Sequence, residues 1–359
     1  MKNINQLLCA VFLTAITLSS YAQSSKPAGE ISARWSIEKA AAWQKEHGWV
    51  SGANFLPSTA INQLEMWQAA TFDPKTIDKE LGWAEGIGFN AMRVFLHSLA
   101  YQQDPAGFKK RVDQYLAIAD KHHIKTILVF FDDCWNPNPK TGKQPEPKTG
   151  VHNSGWAQDP GRPITDAKDF ATLSVYVKDI MNSFGQDKRI LLWDLYNEPG
   201  NSKKGNESIG LLTKVFEWAR DTKHIQPVSV GLWRWDFTEL NTLQALNSDV
   251  ITYHQYEAPA EHLRILQALR SHGRPLICTE YMARRNNSLF SNVLPMLKKE
   301  NVGAINWGLV AGKSNTIYAW DTPMADGGEP KLWFHDVFRK DGTPYKPEEI
   351  EAIKKETGK

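Results

Sequence analysis

Eight short apolar runs punctuate the chain, at 49–55, 91–96, 125–131, 190–196, 228–233, 250–256, 275–279 and 304–309. They are continuous rather than alternating, the pattern of strands covered on both faces. Helical stripes separate them. Asp73-Pro74 reads as an N-cap followed by proline at the first helical position, with Ile77, Leu81 and Ala84 on one face and Gly86 and Gly88 as the stop. Asp104-Pro105 repeats the device, with Phe108, Val112, Leu116 and Ala119 as its stripe. Further amphipathic stretches lie near 166–184, 207–223, 260–272 and 289–300, and a charged helix closes the chain near 347–357. Alternating strands and helices predict an α/β fold with a parallel sheet inside, and eight strands is the number a closed (β/α)8 TIM barrel requires. One barrel over 37–359 is therefore the expected domain.

One connection breaks the short-loop pattern. Residues 132–165, after the third strand, are rich in Pro, Gly, Asn and Lys and carry Trp135 and Trp156. In a barrel, a long loop at that place overhangs the active-site face. At the other end of the chain, residues 23–36 read as a polar, flexible arm with Pro27 and Gly29. Ahead of it, Lys2, an apolar run over 7–18 interrupted by Thr14 and Thr17, and Ser20-Tyr21-Ala22 read as a secretory signal over 1–22. The run is shorter than the roughly 20 residues of a membrane span, so export with cleavage after Ala22 is expected. Cys9 leaves with that segment, and Cys134 and Cys278 then read as two buried free thiols rather than a disulfide framework.

Composition narrows the partners. With 42 basic and 40 acidic residues among 359, the charge balance offers no basis for binding nucleic acid or an anionic membrane. At 42% hydrophobic and 23% charged residues, disorder is excluded. The excess is in tryptophan: 14 residues, beside 15 Phe and 10 Tyr, more than packing alone needs. Some of those indoles are expected on a cleft.

Candidate chemistry gathers where strands end. Trp193-Asp194-Leu195-Tyr196-Asn197-Glu198-Pro199 follows the fourth strand, His254-Gln255-Tyr256 the sixth, and Cys278-Thr279-Glu280-Tyr281 the seventh. Carboxylates at the ends of buried strands are costly unless paired or needed. Two of them, from non-adjacent strands around one barrel mouth, suit hydrolysis of a glycosidic bond. One carboxylic acid protonates the leaving oxygen while the other attacks or supports the sugar carbon. The pair must hold different protonation states at one pH, and His254, Tyr256 and Arg93 are candidate tuners. No pair of histidines has a zinc-ligand spacing, and His122-His123 reads as favourable placement at a helix C-terminus. The glycines of 82–88 precede a strand, the reverse of a dinucleotide fingerprint, and no G-x-S-x-G elbow is present. No metal or cofactor is called for.

On these residues the chain resembles a clan A glycoside hydrolase, nearest to glycoside hydrolase family 5. The matching motifs are Arg93 in NAMRVF, Asn197-Glu198-Pro199 in LYNEP, His254 and Tyr256 in YHQY, Glu280 in ICTEY and Trp307 in INWG. The resemblance implies a retaining enzyme with Glu198 as acid/base and Glu280 as nucleophile. It implies that Asn197 bonds the 2-hydroxyl of the sugar under attack and that Tyr256 steadies the nucleophile. His254 would sit near the acid/base, Arg93 beneath the nucleophile, and Trp307 under the reacting sugar. One departure stands out: such proteins commonly carry a histidine at the end of strand 3, where this chain has Phe130-Phe131-Asp132-Asp133-Cys134-Trp135. Asp132 or Asp133 is then the candidate to hold sugar hydroxyls. Trp135, Trp156, Trp233, Trp235 and Trp320 join Trp307 as candidate platforms, since an indole face stacks on the apolar face of a sugar. The expected partner is an oligo- or polysaccharide, β-linked, of mannan, xylan or glucan type. A barrel that binds carbohydrate but has lost turnover is the alternative. Exo or endo action turns on whether the 132–165 loop closes one end of the cleft.

Overall fold

All eight apolar runs become parallel strands in the computed structural model, which describes residues 31, 34–162, 164 and 166–359. They are β1 (Ser51–Asn54), β2 (Ala91–Phe95), β3 (Lys125–Asp132), β4 (Ile190–Asn197), β5 (Val228–Ser229), β6 (Ile251–His254), β7 (Leu276–Tyr281) and β8 (Gly303–Asn306). Each pairs with its sequence neighbour, and β1 pairs with β8. The last seam, between β5 and β6, is closed by a parallel bridge between Leu232 and Tyr253. The chain is thus a (β/α)8 barrel. The fifth strand is shorter than its apolar run because the run passes through Gly231 and leaves the sheet, touching it again only at Leu232.

The signalled helices form where their caps stand. Asp73 accepts from the Thr76 amide ahead of Pro74–Gly86, and Asp104 accepts from the Gly107 amide ahead of Pro105–Lys121. Each satisfies a backbone donor the helix cannot. Their apolar stripes are buried against the outside of the barrel. A helix with weak apolar periodicity, Ile37–His47, buries only Ala40 and Trp43. Those two pack with Val50, Ala91, Ile127, Leu191, Val250, Ile277 and Ile305, at the starts of the strands, and so plug the bottom of the barrel. The expected signal segment 1–22 lies outside the described residues. Of the expected arm, Ile31 donates its amide to Asn247 and Trp35 to Asp249, both part of the barrel body.

The described residues of the loop after β3 pack against its neighbours, and this is one of two long connections. The second, 307–346, separates β8 from the final helix Pro347–Thr357. Both rise over the mouth, the end where strands finish.

Candidate active site

Glu198 follows the last residue of β4 and adopts a left-handed backbone conformation, φ 46°. A glutamate there is uncommon and costs on the order of 1–3 kcal/mol. The turn that Pro199 and Gly200 continue brings its carboxyl over the mouth rather than along the strand. Glu280 lies within β7, at a register shift: Tyr253 pairs with Cys278, but the next residue, His254, pairs with Glu280. The extra residue, Thr279, re-aims the strand end so that His254 and Glu280 share a face. One ligand atom each of Glu198, His254 and Glu280 lie within 4.8 Å of one another.

Beneath them runs a buried polar layer. The Arg93 guanidinium, fully enclosed, donates to Glu280 Oε1 at 2.9 Å, to Asp194 Oδ2 at 2.9 Å, to Asn197 Oδ1 at 2.7 Å and to Asn54 Oδ1 at 2.9 Å. A buried cation with this set of acceptors is compensated on every side. Tyr256 donates its hydroxyl to the other oxygen of Glu280 at 2.7 Å. Glu198 has a different set. His254 Nδ1 stands 2.7 Å from Oε1, and Asn201 Nδ2 and the Cys134 thiol donate to Oε2 at 2.5 and 3.2 Å. The three clustered ligand atoms are close enough to hold a metal, but Arg93 already brings a positive charge to Glu280.

Burial raises both glutamates above the ordinary carboxylate range. With two carboxylates this close, one proton shared between them relieves the repulsion. The partners decide which group keeps it. Against burial, the Arg93 charge and the Tyr256 hydroxyl favour the charged form of Glu280. The polar partners of Glu198, the Asn201 amide, the His254 imidazole and the Cys134 thiol, are all neutral, so Glu198 is the better proton carrier. Burial pushes His254 down to about 4, leaving it neutral beside Glu198.

Above the carboxyls opens a cavity of about 480 Å³, lined by Cys134, Trp135, His152, Asn153, Trp156, Asn197, Glu198, Asn201, Ser202, Trp233, Tyr256, Glu280, Trp307 and Trp320. Of the residues singled out from the sequence, Glu198, Glu280, Asn197, Tyr256, Trp135, Trp156, Trp233, Trp307 and Trp320 meet here, with Arg93 and His254 directly beneath or behind. Trp235 does not, and lines a separate depression with Leu232 and Thr238.

The aspartates after β3 need a correction as sugar contacts. Asp133 is fully buried and faces away from the cavity. It accepts from Tyr196 Oη at 2.8 Å, Lys204 Nζ at 2.6 Å, Ser208 Oγ at 2.5 Å and the Gly200 amide at 2.8 Å. It therefore ties down the turn that carries Glu198. Asp132 is enclosed too, accepting from Asn197 Nδ2, Trp156 Nε1 and the Cys134 amide at 2.9, 2.6 and 2.9 Å. Burial pushes it up to about 7. Asp132 orients Asn197 and Trp156 and leaves no face to a sugar. Sequence reasoning passed over Asn201, Ser202, His152 and Asn153, and took Cys134 only for a buried thiol. Asn201, three residues beyond Glu198 across a Pro-Gly turn, is the one that carried a local signal.

The family model for cellulases of glycosyl hydrolase family 5 matches residues 58–313. No curated protein sequence matches the chain. Among solved structures, a GH5_18 variant from Streptomyces cattleya in complex with Manβ1-4GlcNAc aligns at TM-score 0.60 and 12% identity, over 85% of this chain and 80% of that one. The endo-1,4-β-D-mannanase of Thermotoga petrophila aligns at 0.55 and 16%, over 87% and 99%. The exo-β-1,4-mannosidase of an Opitutaceae bacterium aligns at 0.60 and 15%, over 87% and 60%. At these identities the structural likeness is one of fold.

Proposed function

This chain belongs to glycosyl hydrolase family 5 and is a glycoside hydrolase, and from that premise we propose that it cleaves a β-linked glycan with net retention through a covalent intermediate on Glu280. The observation that carries this reading is the close approach of Glu198 and Glu280, with ligand oxygens within 4.8 Å. Carboxyls about 5–5.5 Å apart suit direct attack on the sugar, whereas an inverting pair stands roughly 6.5–9.5 Å apart to admit water.

In the first step Glu198 gives its proton to the glycosidic oxygen as the bond to the anomeric carbon breaks, and a Glu280 oxygen forms a bond to that carbon from the opposite face. In the second, Glu198, now ionised, takes a proton from water. The water oxygen bonds the anomeric carbon and Glu280 leaves as carboxylate. His254, neutral, does not compete for the Glu198 proton. Arg93 and Tyr256 keep Glu280 ionised before attack and receive it again as it leaves. Asn197, with its amide oxygen held by Arg93 and its Nδ2 held by Asp132, lines the cavity in a fixed orientation beside the reacting carbon.

The substrate reading is a β-mannan or β-glucan, with β-xylan as a further candidate. It draws on the names of fold relatives that act on mannan and on the indoles of Trp135, Trp156, Trp233, Trp307 and Trp320 around the cavity. The N-terminal sequence pattern supports export. The test is hydrolysis of a panel of aryl β-glycosides, with the configuration of the first free sugar followed by ¹H NMR. A β product that mutarotates later, together with loss of turnover in Glu280→Ala, is expected. An α first product overturns retention. Saccharide binding with no turnover by the wild type overturns hydrolysis.

A further inference from the structure

The loop after β3 does more than overhang the mouth: it runs across it. From β3 it bonds first to the segment after β2, where His97 Nε2 meets Gln158 O at 3.1 Å and the Ser98 amide donates to Asp159 at 2.6 Å. It bonds next to the segment after β1, where Asn62 Nδ2 donates to Gly155 O and to Gln144 Oε1, both at 2.8 Å. Its middle reaches the long segment after β8. There the Asn153 amide donates to Ser314 O at 2.9 Å, Met324 donates to Gly150 O at 2.9 Å, and His152 Nδ1 lies 2.8 Å from Tyr318 O. Lys313 and Glu65, 2.8 Å apart, join the β8 segment to the β1 segment independently. The contact at Gly150 is so close that a Cβ there would fall 1.9 Å from the Met324 carbonyl oxygen. Four of the eight strand ends, β8, β1, β2 and β3, therefore lie under one continuous wall.

The inner face of that wall is filled. Trp156 packs edge-on against Phe95 at 5.0 Å and Trp307 at 5.4 Å. Behind them, towards the ends of β1, β2 and β8, the remaining space is about 20 Å³. A single water needs about 10–15 Å³, so the gap holds one water and no sugar ring. The cavity over the carboxyls is a dead end on this side. Its other side, over β4 and β5, is lined by Asn201, Ser202 and Trp233 and carries Glu198.

Direction follows from the chemistry. The acid must reach the oxygen of the departing group, so the leaving part of the chain lies on the Glu198 side, over β4 and β5. The sugar that is attacked lies on the walled side. This rests on the assignment of Glu198 as acid/base. We propose that the enzyme is exo-acting: it admits only the non-reducing end of a β-glycan and releases one sugar at a time, because the wall from β8 to β3 leaves no path for further sugars beyond the one under attack.

The test uses the full chain and β-1,3- and β-1,4-linked gluco- and manno-hexaoses, each free or capped by a benzylidene acetal on its non-reducing sugar. Products are separated at under a tenth of full conversion. The monosaccharide as the one short product from free hexaoses, with at least a hundredfold slower release from capped ones, is expected, and a short product of two or more sugars overturns the closed end. A ladder of products, or unimpaired cutting of capped hexaoses, overturns exo action and leaves the glycosidase reading intact. Failure to cleave any aryl glycoside or hexaose overturns both.

Discussion

The thiol of Cys134 lies 3.2 Å from Oε2 of Glu198 and donates to it. Burial holds that thiol well above its ordinary range, so it stays a donor. A donor to a carboxylate favours the charged form, and its removal raises the pKa of Glu198. Cys134→Ala is expected to move the basic limb of kcat/KM upward by about half a pH unit, the equivalent of a weak hydrogen bond. Cys134→Ser, which keeps a donor, should restore the limb. A limb that stays in place in Cys134→Ala contradicts this coupling.

Tyr256 acts on the other carboxyl with the opposite consequence for the profile. Glu280 must be ionised to attack, and burial already lifts it above the ordinary value of 4.5. Its acid limb therefore lies above that value. Tyr256→Phe removes the hydroxyl at 2.7 Å and raises Glu280 further. The acid limb should climb by about one to two units, as expected for a hydrogen bond to a charged group. Activity at high pH should fall less than activity at low pH, and a uniform loss across the profile would exclude this role.

Arg93 is as much a folding residue as a catalytic one. Replacing it with Met strands Asp194 and Glu280 without their cation, a loss of about 3–5 kcal/mol for a broken buried pair. Urea unfolding should show that deficit near pH 8. It should shrink on acidification, because burial raises both carboxyls and protonation then removes the uncompensated charge. A deficit independent of pH would mean that packing, not charge, is what Arg93 supplies.

Asp133→Ala separates a positioning role from sugar contact. Untying Tyr196, Lys204, Ser208 and Gly200 loosens the turn under Glu198. We expect kcat to drop by about tenfold to a hundredfold, consistent with misplacement of an acid by a fraction of an ångström, with KM nearly unchanged. A large rise in KM with kcat preserved would return Asp133 to the sugar.

Much of this was legible in the order of the residues. Buried parallel strands write themselves as apolar runs, and Glu198 and Glu280 stand out because charge at such strand ends is costly. What escaped was orientation. After β3 the backbone at Trp135 turns left-handed, φ 69°, and adjacent aspartates face different partners, which no pattern of residue types encodes. The helix Ile37–His47 was missed because its buried stripe is two residues wide. The second long connection, 307–346, was missed because lack of periodicity marks a loop without saying where it packs. Trp235 and Trp320 looked alike as candidates. Only the second is brought into the cavity, where it packs against Tyr256 at 4.9 Å.

The assignment of the two glutamates is tested most directly by azide rescue of Glu198→Ala and Glu280→Ala on an activated aryl β-glycoside, with the glycosyl azide identified by NMR. If Glu280 is the nucleophile, azide enters its vacated place in Glu280→Ala and gives the α-glycosyl azide. Azide in Glu198→Ala attacks the glycosyl-enzyme and gives the β-glycosyl azide. The opposite pairing of variant and anomer would exchange the two roles, and the β-azide from both variants would contradict a nucleophile at position 280.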